Sequence, residues 1–264
     1  MAKAQYIGVN NVARKVTKQY VGVDNVARQI TKGYIGVNNV ARQCFAGETP
    51  VGELEVGSSV YMNVDGVPTE FFVVHQGNPD ESIYDSSCDG TWLLAKDLYI
   101  RKGMDTTETK QNFKDTPLHN YLNTDFMPLL DNGIQTKIKE VKIPYRHRSG
   151  TSTGVNKFGA EGMATKIFFL SLAEVGLNGI AEGVCLSYFS TEETTDANNL
   201  RVAYYENAAS RWWLRTYRSS DMWSGCDEDG TLAALSSGGK EGVRPAFILP
   251  SEVLVDDKFK VITE

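Results

Sequence analysis

Short alternating apolar and polar runs dominate the chain, and such period-2 patterns point to strands. Along residues 6–44 the alternation itself repeats. The unit YIGVNNVARKVTK that starts at Tyr6 returns as YVGVDNVARQITK from Tyr20 and as YIGVNNVARQC from Tyr34, a period of 14. Each unit places a short β-rich run on either side of Asn10-Asn11, Asp24-Asn25 or Asn38-Asn39. Asn and Asp tolerate the positive φ angles of a two-residue primed turn, so each unit predicts a hairpin with Val9 opposite Val12 and Gly8 opposite Ala13. A single hairpin of this size is marginal in water. Three in series suit one small sheet or pairing with copies from other chains.

Past the turn-rich link Gly47 to Pro50, the pattern predicts strands over residues 57–66 and 70–75, with a turn at Asp65-Gly66, and a buried strand over 91–95. The period then changes. Leu118, Tyr121, Leu122, Phe126 and Leu129/Leu130 follow helical spacing behind Thr116, a good N-cap, and Pro117, a good first helical residue. A second short helix is predicted over 134–141, a polar surface loop over 145–165 and a buried strand over 166–171. A helical step at 172–175, a polar loop at 190–199, a short helix at 200–210 and a hairpin around Asp256-Asp257 follow. Between 211–215 (RWWLR) and 242–247 (GVRPAF) lies a Gly/Ser/Asp-rich run. That arrangement predicts two buried strands holding up an exposed loop.

Composition sharpens this outline. Of the 264 residues, 41% are hydrophobic and 23% charged, the ordinary balance of a chain with a sizeable core. No stretch approaches the roughly 18 apolar residues of a membrane span, and the N-terminus lacks the apolar core of a signal peptide, so synthesis and folding in a cytoplasm are expected. Cys44, Cys88, Cys185 and Cys226 are far apart, with no metal or redox spacing, and are expected as free thiols. Charge divides the chain. Residues 1–47 carry seven Lys/Arg and one Asp, whereas residues 48–264 carry 20 Lys/Arg and 32 Asp/Glu. A basic arm on an acidic body suggests two parts with different partners.

Tandem units of the form YIGVNNVAR resemble the N-terminal segments of structural proteins encoded by phages and prophages of Gram-positive bacteria. That resemblance covers about 45 residues and implies attachment to a virion, at the head, collar or tail. The ordered motifs LHNYLNTDF (118–126), KIFFLSLAEV (166–175), WWLRT (212–216) and GVRPAF (242–247) resemble a domain family of unassigned function found in gut Firmicutes and their phages. The family is similar to the C-type-lectin-like fold shared with formylglycine-generating enzymes and hypervariable phage adhesins. The fold expected from the resemblance is α+β: a C-type-lectin-like display domain over 48–264, preceded by an all-β arm of three hairpins over 1–47.

The arm's expected docking residues are Tyr6, Arg14, Tyr20, Arg28, Tyr34 and Arg42, which recur at fixed places in the repeat; a solvated polar face is the competing reading. In the body, Tyr217, Arg218, Ser219, Asp221, Met222, Trp223, Asp227 and Glu228 form the candidate ligand-binding face. Aromatics interleaved with Ser and Gly are the composition of a binding surface, although Trp223 might equally fold back as a plug. Arg215 and Arg244 are expected to brace the loop through a carboxylate or carbonyls. Asp221, Asp227, Glu228 and Asp229 lack the spacing of an EF-hand loop and are expected as solvated turn acids, with no metal and no cofactor. The formylglycine-generating relatives use paired reactive cysteines; here Cys226 stands alone, and His75, His119 and His147 lie on unrelated segments.

The expectation is therefore a non-enzymatic virion protein displaying a domain that binds a host-surface glycan or protein. Its other partners are virion proteins reached through residues 1–47. A homo-oligomer, favoured as a trimer, is expected, and nucleic acid is an unlikely partner. The alternatives are a purely structural decoration protein and, more weakly, an enzyme acting on envelope glycans.

Overall fold

The computed structural model describes residues 6–9, 12–16, 19–23, 26–30, 32–37, 40–105, 112–147, 154–179, 182–219 and 221–263. They form a strand-rich α+β architecture. None of the described helices is long and apolar enough to cross a membrane.

The three repeats are three antiparallel hairpins, Tyr6–Val9 with Val12–Lys15, Gln19–Val23 with Val26–Ile30, and Lys32–Val37 with Val40–Ala46. Val9↔Val12, Val23↔Val26 and Val37↔Val40 close them, and Gly8↔Ala13, Gly22↔Ala27 and Gly36↔Ala41 follow in the same register. The turn pairs themselves (Asn10-Asn11, Asp24-Asn25 and Asn38-Asn39) lie outside the described residues. Each hairpin is its own two-stranded sheet.

The body is built on two five-stranded sheets. The first runs in the order Ile167–Phe168, Ala246–Leu249, Thr91–Ala95, Val67–Gln76, Ser59–Val64. The second runs Ile100–Lys102, Glu241–Val243, Trp212–Ser219, Met222–Cys226, Leu232–Ser236. Asp65 and Gly66 adopt φ of 52° and 73°, the two left-handed residues that close the first hairpin at Val64↔Val67. Every residue of Thr91–Ala95 is buried, with Trp92, Leu93 and Leu94 fully so, as a central strand covered on both faces requires.

Two chain segments cross from one sheet to the other side by side. Residues 91–102 leave the first sheet and enter the second, and residues 241–249 make the reverse passage next to them. At the crossing the ladder is interrupted, and Arg244-Pro245 repairs it. The Pro245 carbonyl accepts from Ala95 N at 2.9 Å, while Arg244 Nε and Nη2 donate to the Ala95 and Lys96 carbonyls at 2.8 and 3.0 Å. Buried carbonyls without ladder partners would otherwise go unsatisfied. The Arg-Pro step is thus a sheet-switching corner, and Arg244 also lies 4.8 Å from the Trp212 ring centroid.

Helical turns cover the first sheet. Thr116 caps Pro117–Tyr121 through His119 N, as expected. The same rod continues through Leu122–Phe126 and Met127–Leu129 and buries Leu118, Leu122 and Phe126. Asn123 ties it to the edge strand by accepting from Ile167 N and donating to Ile167 O, which closes an open strand edge with a side chain.

Several expectations are corrected. The second helix is confined to Asn132–Gln135, and Val141–Ile143 is a strand paired with Met163–Thr165. The polar region 145–165 is no continuous loop: Tyr145–His147 pairs with Val155–Lys157. Residues 200–210 carry the small hairpin Tyr204–Tyr205/Ala208–Ala209, and the helix lies earlier, at Thr195–Asn199, capped by Thr194. Residues 172–175 form a turn rather than a helix. The link at Gly47 to Pro50 is a buried seam, in which Thr49–Pro50 pairs with Leu254–Val255 and Gly47 and Glu48 are buried. The terminal hairpin expected around Asp256-Asp257 is present in short form: the bridge Val255↔Val261 is flanked by Asp256 N donating to Lys260 O and Ile262 N donating to Leu254 O, both at 2.9 Å.

Candidate functional site

The expected display loop folds as a hairpin, with Trp212–Ser219 against Met222–Cys226. Its two aromatics face inward. Tyr217 is 3% exposed and Trp223 fully buried, and their rings meet edge to face at 5.3 Å. The exposed-loop expectation is therefore corrected for Tyr217, and for Trp223 the structure has the ring folded back as a plug, the reason being that each large ring gains more from the core than from water. Arg218, Ser219 and Glu228 are exposed, and Asp221, Met222 and Asp227 are half-buried. Gly225 lets the hairpin close: a Cβ there would lie 2.2 Å from Leu235 Cδ1 and 2.6 Å from the Trp212 carbonyl. The next strand, Leu232–Ser236, alternates exposed and buried residues, a period-2 signal legible beneath the polar composition.

The acidic residues of this region do not converge. Asp227 pairs with Arg211 at 2.8 Å, Asp229 accepts from Thr231, and Asp221 accepts from Ser236. Among the described residues no group of three or more His, Cys, Asp or Glu is placed to hold a metal. Cys88, Cys185 and Cys226 are free thiols, and burial pushes Cys88 and Cys226 up to about 12. The histidines stay on separate segments. His75 Nδ1 meets Ser187 Oγ at 2.8 Å, His119 Nε2 meets Thr165 Oγ1 at 3.1 Å, and His147 lies against Tyr145.

Both Trp212 and Trp213 are fully buried and use their indole N–H groups, on the Arg201 and Lys102 carbonyls respectively. Arg215 is the centre of a buried ionic cluster. Its Nη1 and Nη2 grip the two oxygens of Glu174 at 2.5 and 2.6 Å, and its remaining donors reach the Pro144, Phe169 and Glu182 carbonyls. Glu182 Oε1 lies 3.6 Å from Arg215 Nε. Tyr84 donates its hydroxyl to Glu174 and accepts from Val184 N. Burial raises the Glu182 carboxyl to about 7 against the pull of Arg215. For Arg215 burial works the other way, but Glu174 overcomes it and holds the guanidinium above its ordinary range. This cluster fixes residues 169–184 against the second sheet. Arg215 and Arg244 do bond a carboxylate and backbone carbonyls, but on residues 144–182 and on Ala95, Lys96 and Arg201, not on the loop they were expected to brace; Glu174, Glu182 and Arg201 carried no signal of their burial, since charged residues default to the surface.

On the outer side of that segment runs a groove. One end, of about 230 Å³, is lined by Gly176, Leu177, Asn178, Asn198, Arg201 and Thr231 among others. It shares Gly176, Leu177, Asn178 and Thr191 with a second hollow of about 220 Å³ that reaches Val184 and Cys185. Arg201, only 1% exposed, forms its floor. Its guanidinium gathers four chain segments: Nε donates to Gly230 O, Nη1 to Val175 O and Ser190 O, and Nη2 to Asn198 Oδ1. Glycines permit this convergence. At Gly176 (φ +74°) a Cβ would fall 2.3 Å from Ser190 O, and at Gly230 (φ +79°) 1.9 Å from Asn198 O. Sequence reasoning missed the groove, because its residues come from four distant segments that show no shared motif.

The two sheets are joined at the Arg-Pro corner, and the ionic cluster and the groove share the segment around Glu174 and Gly176. A family model described as Domain of unknown function (DUF6273) matches residues 89–251, more than half of the chain, and the chain belongs to that family. The matched region spans both sheet-switching segments and the groove and excludes the repeats. No curated protein and no solved structure matches the chain.

Proposed function

We propose that the chain is a bacteriophage virion structural protein, a head fibre, collar or tail component. It attaches through residues 1–47 and displays its body, read as a C-type-lectin-like domain, to a host-surface glycan or protein. The supporting observation is the state of the arm. Among the described residues its hairpins pair with no further strand, and Ile7, Tyr20, Val21 and Tyr34 stand 46–57% exposed. Two-stranded ribbons with bare edges and exposed apolar side chains are sticky and marginal alone. Virion partners or further copies of the arm, in a trimer as the favoured arrangement, would cover them. Among the docking residues, the side chains of Tyr6, Arg14, Arg28 and Arg42 lie outside the described residues, and only Tyr20 and Tyr34 are placed, both exposed.

The experiment has two arms. Purified protein carrying a fluorescent label should adsorb saturably to host cells, and antibody against residues 1–47 should reach its epitope on the free protein but not on intact particles. Lack of adsorption, with the body buried between subunits in a particle reconstruction, would replace this reading by that of a structural decoration protein. That second reading has its own support, since burial of Tyr217 and Trp223 removes the aromatic anchors from the hairpin face.

A further inference from the structure

We propose that the groove over Arg201 is a saccharide-binding site whose ligand carries one acidic group, seated against the Arg201 guanidinium. A buried charge is costly unless paired. Arg215 has Glu174, but among the described residues no carboxylate lies within ion-pair distance of Arg201. Its charge is met by three carbonyls and the Asn198 amide oxygen, which engage four of its five N–H groups. One Nη2–H is left. Asn198 turns Oδ1 to that same Nη2, so its Nδ2 is a neighbouring donor. Both residues line the groove, and two neighbouring N–H donors there suit the two oxygens of a carboxylate or phosphate. Burial lowers the affinity of Arg201 for its proton, a cost that an incoming anion offsets.

The walls suit a sugar ring. Leu177 and the 37%-exposed Leu232 supply apolar surface, while Asn178, Thr191 and Thr231 supply oxygen acceptors for ring hydroxyls, Asn178 Nδ2 already donating to Glu193 and Thr231 Oγ1 to Asp229. The exposed Glu192 and Glu193 on the rim repel a second negative charge, which limits the ligand to one acidic group at the floor. The glycine-enforced backbone contacts hold the site ready-made, so little ordering is required on binding. The inference rests on the display reading for the identity of the surface from which such a sugar would come.

Equilibrium dialysis of the full chain tests it with matched probes: glucuronic acid beside glucose, N-acetylmuramic acid beside N-acetylglucosamine, and inorganic phosphate alone. At least one acid should bind about tenfold more tightly than its neutral partner. Phosphate should compete with it, as an acid without a ring. Leu232→Trp closes the mouth from an exposed position and should abolish binding while melting like the parent; Asn178→Ala, also exposed, should weaken it. Arg201→Gln should lose the preference for the acid if it folds. The proposal is overturned if neither acid outbinds its neutral partner at millimolar concentration, or if Leu232→Trp binds as the parent does. A Leu232→Trp protein that binds the acid as the parent does and still adsorbs to host cells overturns the groove and spares the display reading. A parent protein that binds the acid but no cell does the reverse.

Discussion

Glu174 and Arg215 carry opposite charges with no access to water, and such a pair is more costly to break than to replace. Each Glu174 oxygen takes one Arg215 N–H, and Tyr84 and Ser171 N complete the carboxylate. Glu174→Gln keeps the shape and removes the charge. Glu182, 3.6 Å from the same guanidinium, would then take over as counter-ion. The expected loss is about 3 kcal/mol, the lower end for a broken buried pair, read by denaturant unfolding. Glu182 itself makes a pH prediction. Its carboxyl is raised by burial from 4.5 to about 7, so between those values the folded chain holds a proton that the unfolded chain releases. Its contribution to stability is therefore fully present below pH 4.5 and lost as pH rises through 7. Glu182→Gln should flatten this slope, a total of about 3 kcal/mol, in melts taken across that range; an unchanged slope would exclude Glu182 as its source. Side chains of this kind were the least legible part of the chain. Arg215 and Arg244 flank a polar run and invited a bracing role, but Glu174 and Arg201 look like surface residues until the fold places 169–175 and 198–201 against buried strands.

Elements were legible where a local rule acts alone. The repeats show strand alternation and turn chemistry together, and Thr116-Pro117 is a helix start that needs no tertiary help. They were illegible where pairing is supplied from afar. Tyr145–His147, Tyr204–Tyr205 and Ala208–Ala209 are two or three residues long and exist only through their partners, so no periodicity can build up. The hairpin Trp212–Ser219/Met222–Cys226 misled for another reason. Its Ser, Gly and Asp read as loop, yet Gly225 is there to admit Leu235 and the Trp212 carbonyl. Gly225→Ala should therefore cost roughly 1–3 kcal/mol through overpacking against backbone that cannot yield. Gly66→Ala is the matched control: it adopts φ +73° with nothing within 4 Å of its would-be Cβ, and should cost only about 1 kcal/mol of backbone strain. Equal losses in the two variants would mean that the hairpin relaxes around Gly225.

The whole molecule divides at its first buried seam. Among the described residues before 47 each hairpin pairs only with itself; from Gly47 on, the chain is sewn to its other end through Thr49–Pro50 and Leu254–Val255, with Val51 N bonded to Val253 O at 2.7 Å. The charge reversal falls at the same place in the sequence, but the seam was hidden, because Gly-Glu-Thr-Pro has the composition of a linker and acquires its partner only from the far end of the chain. A chain beginning at Gly47 should melt at the same temperature as the body of the full protein, followed by tryptophan fluorescence, since all four tryptophans lie in the body. A chain beginning at Val51 loses the Thr49–Pro50 pairing and the burial of Gly47 and Glu48. Its melting temperature should fall by about 2–4 °C, the shift that about 1 kcal/mol produces in a domain of this size. Sedimentation of the same two proteins reads the arm's role. If the hairpins cover their bare edges with copies of themselves, both truncations sediment as monomers while the full chain does not. If the chain beginning at Gly47 keeps the full protein's assembly state, the contacts between copies belong to the body, and the arm is left to bind the rest of the particle.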